Sequence, residues 1–285
     1  MKPLKQDLPM LTVLTVVTMM AFAANSLLTR LAFQTTHIDP ASFTAARLGA
    51  GAIVLLAMKK MRLMPAAGAR EAWTSAAILF GYAIAMSYAY RGIGTGAGAL
   101  VLFAAAQVPM ALSGYRKGER TSSLGIVLAL GGLIAFLQPW RSSATLGSAA
   151  LMAVAGIAWG LYSLRGRATG NAVQWTADSF IYAVPMAVLW LLPTWGFIKG
   201  DPSGLAYAAL SGAITSALSY VLWYWVRSQM TATGAGAVQL SVPVLSVVLG
   251  ALVLGEHVSA WSLMAAGVTL VGVALISLRT TRPAQ

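Results

Sequence analysis

The sequence predicts an all-α integral membrane protein of ten transmembrane helices, arranged as two inverted five-helix repeats. Three observations carry this. The 285 residues are 58% hydrophobic and 9% charged, with a mean hydropathy of +0.76, whereas a soluble domain carries about 25% charged residues. The apolar residues gather in runs near the 20 or so that a helix needs to cross a bilayer. The pentapeptide TGAGA occurs at Thr95–Ala99 and again at Thr233–Ala237, once in each half.

Backbone groups inside a bilayer must be hydrogen-bonded within their own segment, so long apolar runs must be helices. Ten are predicted, at 10–32, 41–59, 72–91, 94–114, 122–139, 146–164, 173–194, 204–226, 232–254 and 259–278. The short connections make neighbours antiparallel. The opening segment imitates a secretory signal, with basic residues, an apolar stretch and Ala-Phe-Ala at Ala21–Ala23. The apolar run continues past that point as LLTRLAF, so it reads as the first span.

The net charge of +12 follows the same frame. With a cytoplasmic N-terminus, one side holds Lys2, Lys5, Lys59, Lys60, Arg62, Arg70, Arg116, Lys117, Arg120, Arg165, Arg167, Arg227, Arg279 and Arg282, or 14 of the 19 basic residues. Arg30, Arg91, Arg141 and Lys199 fall on the other side, and Arg47 lies within a span. This satisfies the positive-inside rule with both termini cytoplasmic, in an inner (plasma) membrane of bacterial type. The charge therefore reads as an orientation signal, and no nucleic-acid partner is expected. Trp73, Trp140, Trp175, Trp195 and Trp261 lie near span ends and read as interface anchors.

The two TGAGA copies are 138 residues apart, and Tyr82 matches Tyr220 at that offset. KGERTS (Lys117–Ser122) and LGEHVS (Leu254–Ser259) match at 137. Residues 1–140 and 141–285 thus read as equivalent units. Five spans is an odd number, so the second unit sits upside down, a recurring plan of secondary transporters with a site near the midplane. No strand precedes TGAGA, and neither a dinucleotide fingerprint nor a Walker pattern is complete around it. It reads instead as a tight connection opening a helix, with Thr95 and Thr233 as caps and the small residues allowing close packing.

Three stretches resemble the EamA-type transporters of the drug/metabolite transporter superfamily: DPASFTAARLGAGAIVLL (Asp39–Leu56), AGIAWGLYSLRGR (Ala155–Arg167) and AVQLSVPVLSVVLGALVLGE (Ala237–Glu256). Within it, the chain looks closest to the YddG-type exporters of aromatic amino acids. The resemblance implies a ten-helix bundle working by alternating access, with a cavity lined by the first four helices of each half. It places the fifth helix of each half at the periphery, often at a dimer contact, so the protein is expected as a monomer or homodimer. The counterpart of Pro243 is Ala105, with a proline only at Pro109, so the halves should bend at different depths.

Polar groups inside a membrane are costly and suggest function. Asn25, Gln107 and Gln239, with Arg47 and Asp178, fall within spans. Interhelical packing and substrate contact both satisfy such amides. Tyr82, Met86 and Tyr90 share a face of the third span, Trp159 and Tyr162 of the sixth, and Tyr220, Trp223 and Tyr224 of the eighth. A cavity of such rings with a few amides suits flat, partly apolar solutes, and Arg47 suits a carboxylate. The substrate expected is a small molecule, aromatic or amphipathic amino acids first, with export from the cell as the direction the resemblance suggests. Pro109, Pro185 and Pro243 interrupt spans and read as static kinks or hinges. Smaller relatives exchange protons at a glutamate of the first helix, but the first span here has no acid. Facilitated movement is therefore favoured, with proton coupling through Asp178, as in drug or nucleoside-type efflux, as the alternative. A membrane enzyme is disfavoured: there is no cysteine, and His37 and His257 fall in loops, leaving no metal spacing and no intramembrane Ser–His pair. No cofactor and no metal are expected. A channel would differ in showing neither saturation nor counterflow.

Overall fold

The computed structural model describes residues 8–62, 69–119, 122–137, 146–165, 172–257 and 259–279. Lys2, Lys5, Arg120, Trp140, Arg141, Arg167 and Arg282 lie outside them. The α-helices are α1 (Leu8–Thr35), α2 (Pro40–Arg62), α3 (Ala69–Ala89), α4 (Thr95–Arg116), α5 (Ser123–Leu137), α6 (Leu146–Arg165), α7 (Ala172–Leu191), α8 (Pro202–Gly212), α9 (Ser219–Ser228), α10 (Ala232–Gln239), α11 (Ser241–Leu254) and α12 (Ala260–Arg279). A 3₁₀ turn spans Trp195–Phe197 and a π-helical turn Ala213–Leu218. No strand occurs among the described residues.

Among the described residues, seven stretches are long and apolar enough to cross a membrane. Two of them join shorter pieces: Pro202–Ser228 carries α8, the π turn and α9, and Ala232–Leu254 carries α10 and α11. The predicted fifth and tenth spans appear as shorter apolar helices, Ser123–Phe136 and Ala260–Ile276. The predicted seventh span is α7, whose Gln174 and Asp178 hold its apolarity down. This is a multi-pass, all-α membrane protein.

Local chemistry sets the breaks. Asp39 and Asp201 each precede a proline and cap a helix. The Asp39 carboxylate accepts the N–H groups of Ala41 and Ser42, both at 2.9 Å, and that of Asp201 accepts Gly204 N–H at 3.0 Å. A proline at the first helical position loses nothing, since its N–H would have no partner there. Pro109 and Pro185 sit inside unbroken helices. Pro243 does not: the rod divides at Leu240, between α10 and α11, because Pro243 has no N–H to donate one turn back. In the π turn and just after it, the Thr215 and Ser219 hydroxyls donate to the carbonyls of Ser211 and Thr215, at 3.1 and 2.6 Å. Such back-bonding competes with the backbone ladder.

The helices before residue 138 pack mainly on those after 145. α1 lies against α8, α9 and α11, α2 on α7 and α8, α3 on α6 and α7, α4 on α6, α10 and α11, and α5 along α12. Lipid tails are as apolar as leucine, so these contacts depend on close van der Waals fit. Gly156 and Gly160, four residues apart on α6, meet the backbone of α4 at Leu102 and Ala106, where a Cβ would collide. Gly212 meets the carbonyl of Arg47 in the same way and draws α2 against α8.

Trp73, Trp195 and Trp261 are exposed, as interface anchors should be. Trp175 is a correction: it is 1% exposed and packs 6.5 Å from the Tyr162 ring. Proximity to a span end did not set its direction; α7 turns that face inward.

Candidate substrate site

Between the halves lies a cluster of aromatic rings. Phe22 on α1 meets Trp159 edge-on, with centroids 5.2 Å apart, and Tyr220 at 5.9 Å. Trp159 also faces Tyr82 at 5.3 Å and Tyr220 at 4.8 Å. These rings, with Asn25, Ser26, Leu102 and Phe103, enclose a cavity of about 10 Å³, room for one water. The site is occluded, and its rings fill their own space.

Arg47 stands behind two of the lining rings, Tyr82 and Tyr220. It is 1% exposed. Its Nε donates to Ser216 Oγ at 3.1 Å, and Nη2 donates to the hydroxyls of Tyr82 and Tyr220 at 3.3 and 3.1 Å. Nη1 points to the Met86 sulfur at 3.6 Å, and the guanidinium carbon lies 5.4 Å from the Tyr82 ring centre. Among the described residues no carboxylate pairs with it; the ion pair found is Arg30–Glu256, at 3.9 Å. Hydroxyls and a π face therefore hold a buried cation with no compensating charge, an arrangement that suits an anionic group of a ligand.

Asn25 ties Tyr82 to α8 and the π turn. Its Nδ2 donates to Tyr82 Oη at 3.4 Å, and its Oδ1 accepts from Ser211 and Thr215 at 2.7 and 3.2 Å. Gln239 accepts the Trp159 indole N–H at 2.6 Å and thereby fixes that ring's orientation. Trp223 donates to Ser163 Oγ at 3.2 Å and packs 5.7 Å from Phe22, behind the cavity wall. Asn25, Arg47, Tyr82, Trp159, Tyr220, Trp223 and Gln239 thus converge.

Gln107 and Asp178 lie elsewhere. Gln107 donates to the carbonyls of Phe103 and Gly236, at 3.1 and 2.8 Å, and bridges α4 to α10. Asp178 is buried and accepts from Gln174 at 2.5 Å, one turn back on α7.

Sequence reasoning missed Phe22, an apolar residue in an apolar helix, and the GxxxG spacing of Gly156 and Gly160 that seats Trp159. It also missed the roles of Glu119 and Glu256. Thr95 and Thr233 are not helix caps, which corrects the expectation. Gly94 caps α4 without a side-chain bond, and Thr231 caps α10 by accepting Gly234 N–H at 3.0 Å. The Thr95 and Thr233 hydroxyls instead donate to Glu256 and Glu119, at 3.0 and 2.8 Å. The repeated Gly-Glu pair was the available signal, since a carboxylate is at home on a helix N-terminus.

Outside the membrane-spanning segments, three carboxyls are held below their ordinary range. For Glu119, partial burial pushes up, but the N–H groups of Thr233 and Ala232, the Thr233 hydroxyl and the Arg227 charge outweigh it. For Asp39, partial burial again pushes up and is outweighed by hydrogen bonds from Ser42, Lys199 and Ala41. For Asp201, the N–H groups of Gly204 and His37 lower it.

The family match and the relatives named transporters indicate a membrane transporter. The chain carries an EamA-like transporter family domain, the family's model matching residues 146–278. It is 48% identical over 266 residues to an uncharacterized protein of Pseudomonas aeruginosa, covering 92% of this chain and 93% of the relative. An uncharacterized transporter of Archaeoglobus fulgidus is 22% identical over 224 residues, covering 73% of this chain and 77% of that one. A solved crystal structure, 19% identical, covers 94% of this chain and 97% of its own with a TM-score of 0.71, a likeness of fold.

Proposed function

We propose that this protein is a secondary transporter, built as two inverted five-helix repeats (residues 1–140 and 141–285), that exports aromatic or amphipathic amino acids and similar small metabolites across the inner membrane by alternating access. Both termini face the cytoplasm. The observation that carries the reading is the buried Arg47 guanidinium, with no carboxylate partner among the described residues, bonded to Tyr82 and Tyr220, whose rings line a closed cavity with Trp159. A carboxylate on Arg47 and a flat side chain among the rings account for both parts. The meeting of Tyr82 and Tyr220, 138 residues apart, supports the repeat.

The test is counterflow in proteoliposomes preloaded with individual amino acids or nucleosides. Labelled phenylalanine is expected to enter saturably and to be recovered chemically unchanged. Uptake without saturation or counterflow would assign a channel, and altered product an enzyme. Counterflow of nucleosides but not amino acids would replace the substrate class.

A further inference from the structure

Gly118 and Gly255, with φ of 70° and 65°, are the described glycines in the left-handed region. Each ends a helix, and each swings a glutamate onto a helix of the other half. Past α11, the Glu256 carboxylate accepts Thr95 N–H at 3.0 and 3.2 Å and the Thr95 hydroxyl at 3.0 Å. Past α4, the Glu119 carboxylate accepts the N–H groups of Ala232 and Thr233, both at 2.9 Å, and the Thr233 hydroxyl at 2.8 Å. Gly250 and Gly114 make room, since a Cβ at either would run into the same Glu–Thr pair. Glu256 meets the start of α4 while Glu119 follows its end, so the two contacts sit at opposite ends of the bundle.

The helices held this way carry the site. α4 supplies Leu102 and Phe103 to the cavity wall, and α10 ends at Gln239, the partner of Trp159. Both carboxylates are only half-buried; Glu256 keeps 24% of its side chain exposed. Water can therefore replace the bonds each one makes, as it could not for a buried apolar contact. Arg30 faces Glu256, and Arg227 lies near Glu119.

We propose that Glu119 and Glu256 are positioning residues that act as gate latches: each holds one end of the occluded site shut, and its release opens that end alone. This rests on the transporter reading for the existence of a gate, but its test needs no substrate. The chain contains no cysteine, so Ser26→Cys places a single thiol in the cavity wall. Its labelling by a membrane-impermeant maleimide is measured from each face in right-side-out and inverted vesicles. Glu256→Gln is expected to speed labelling about tenfold from the Thr95 face only, and Glu119→Gln about tenfold from the Thr233 face only, in line with loss of a charged hydrogen bond. Thr95→Val and Thr233→Val, milder changes that keep the carboxylates, should act on the same faces by smaller factors. Equal acceleration from both faces would mean general loosening and overturn the proposal, as would no acceleration in any variant. Absence of amino acid counterflow would remove the proposed substrate while leaving the labelling result to decide the latches.

Discussion

Tyr82 and Tyr220 lie 138 residues apart in the sequence, and their hydroxyls meet at 3.3 Å with Arg47 bonded to both. The two halves thus share a polar contact at this point. Tyr82→Phe keeps the ring and removes the oxygen that Arg47, Asn25 and Tyr220 all approach. We expect KM for aromatic amino acids to rise about threefold to tenfold, the scale of one hydrogen bond. Tyr82→Ala or Trp159→Ala should cut flux with protein levels intact. Unchanged counterflow in both alanine variants would remove the site.

Arg47 tests the carboxylate. Lysine keeps the charge but cannot reach Ser216, Tyr82 and Tyr220 from one planar group. Arg47→Lys should raise KM for amino acids by about tenfold to a hundredfold. Amine analogues lacking the carboxylate should lose little. Equal losses for both ligand sets would assign Arg47 to packing alone.

Gly160 tests how Trp159 is seated. A side chain there meets Pro109 and the Ala106 carbonyl on α4. Gly160→Val should destabilise the protein by about 1–3 kcal/mol, as overpacking does. A melting temperature unchanged in detergent would contradict the close α4–α6 approach.

The Glu119 carboxyl predicts an acid limit. Its folded pKa lies below the ordinary value, so its stabilisation is present above that ordinary value and is lost as pH falls through the folded one. Thermal stability should decline below about pH 4, and Glu119→Gln should flatten that decline while lowering stability at neutral pH. An identical pH profile in the variant would show that other carboxyls set the limit.

Asp178 decides the alternative energy source. If movement is facilitated, a pH gradient should drive no uptake in the parent protein, and Asp178→Asn should leave exchange as it is. Loss of pH-driven uptake with exchange spared would establish proton coupling.

The sequence by itself determined the membrane class, the positions of the helices and the 138-residue spacing of Tyr82 and Tyr220. Those depend on composition and spacing, which the bilayer reads directly: a run of some 20 apolar residues has one economical conformation there. It also located the polar residues that converge, because a polar group at that depth must find a partner. Tertiary structure alone decided which partner each one found. Gln107 and Gln239 look alike along the chain, yet one bridges two backbones and the other aims Trp159. Trp175 lies near a span end but turns inward. TGAGA followed the same rule. Its small residues foretold close packing, but the carboxylate that meets each threonine comes from more than a hundred residues away. Neighbours in sequence do not name such a partner, because the bond is set by how the two halves pack.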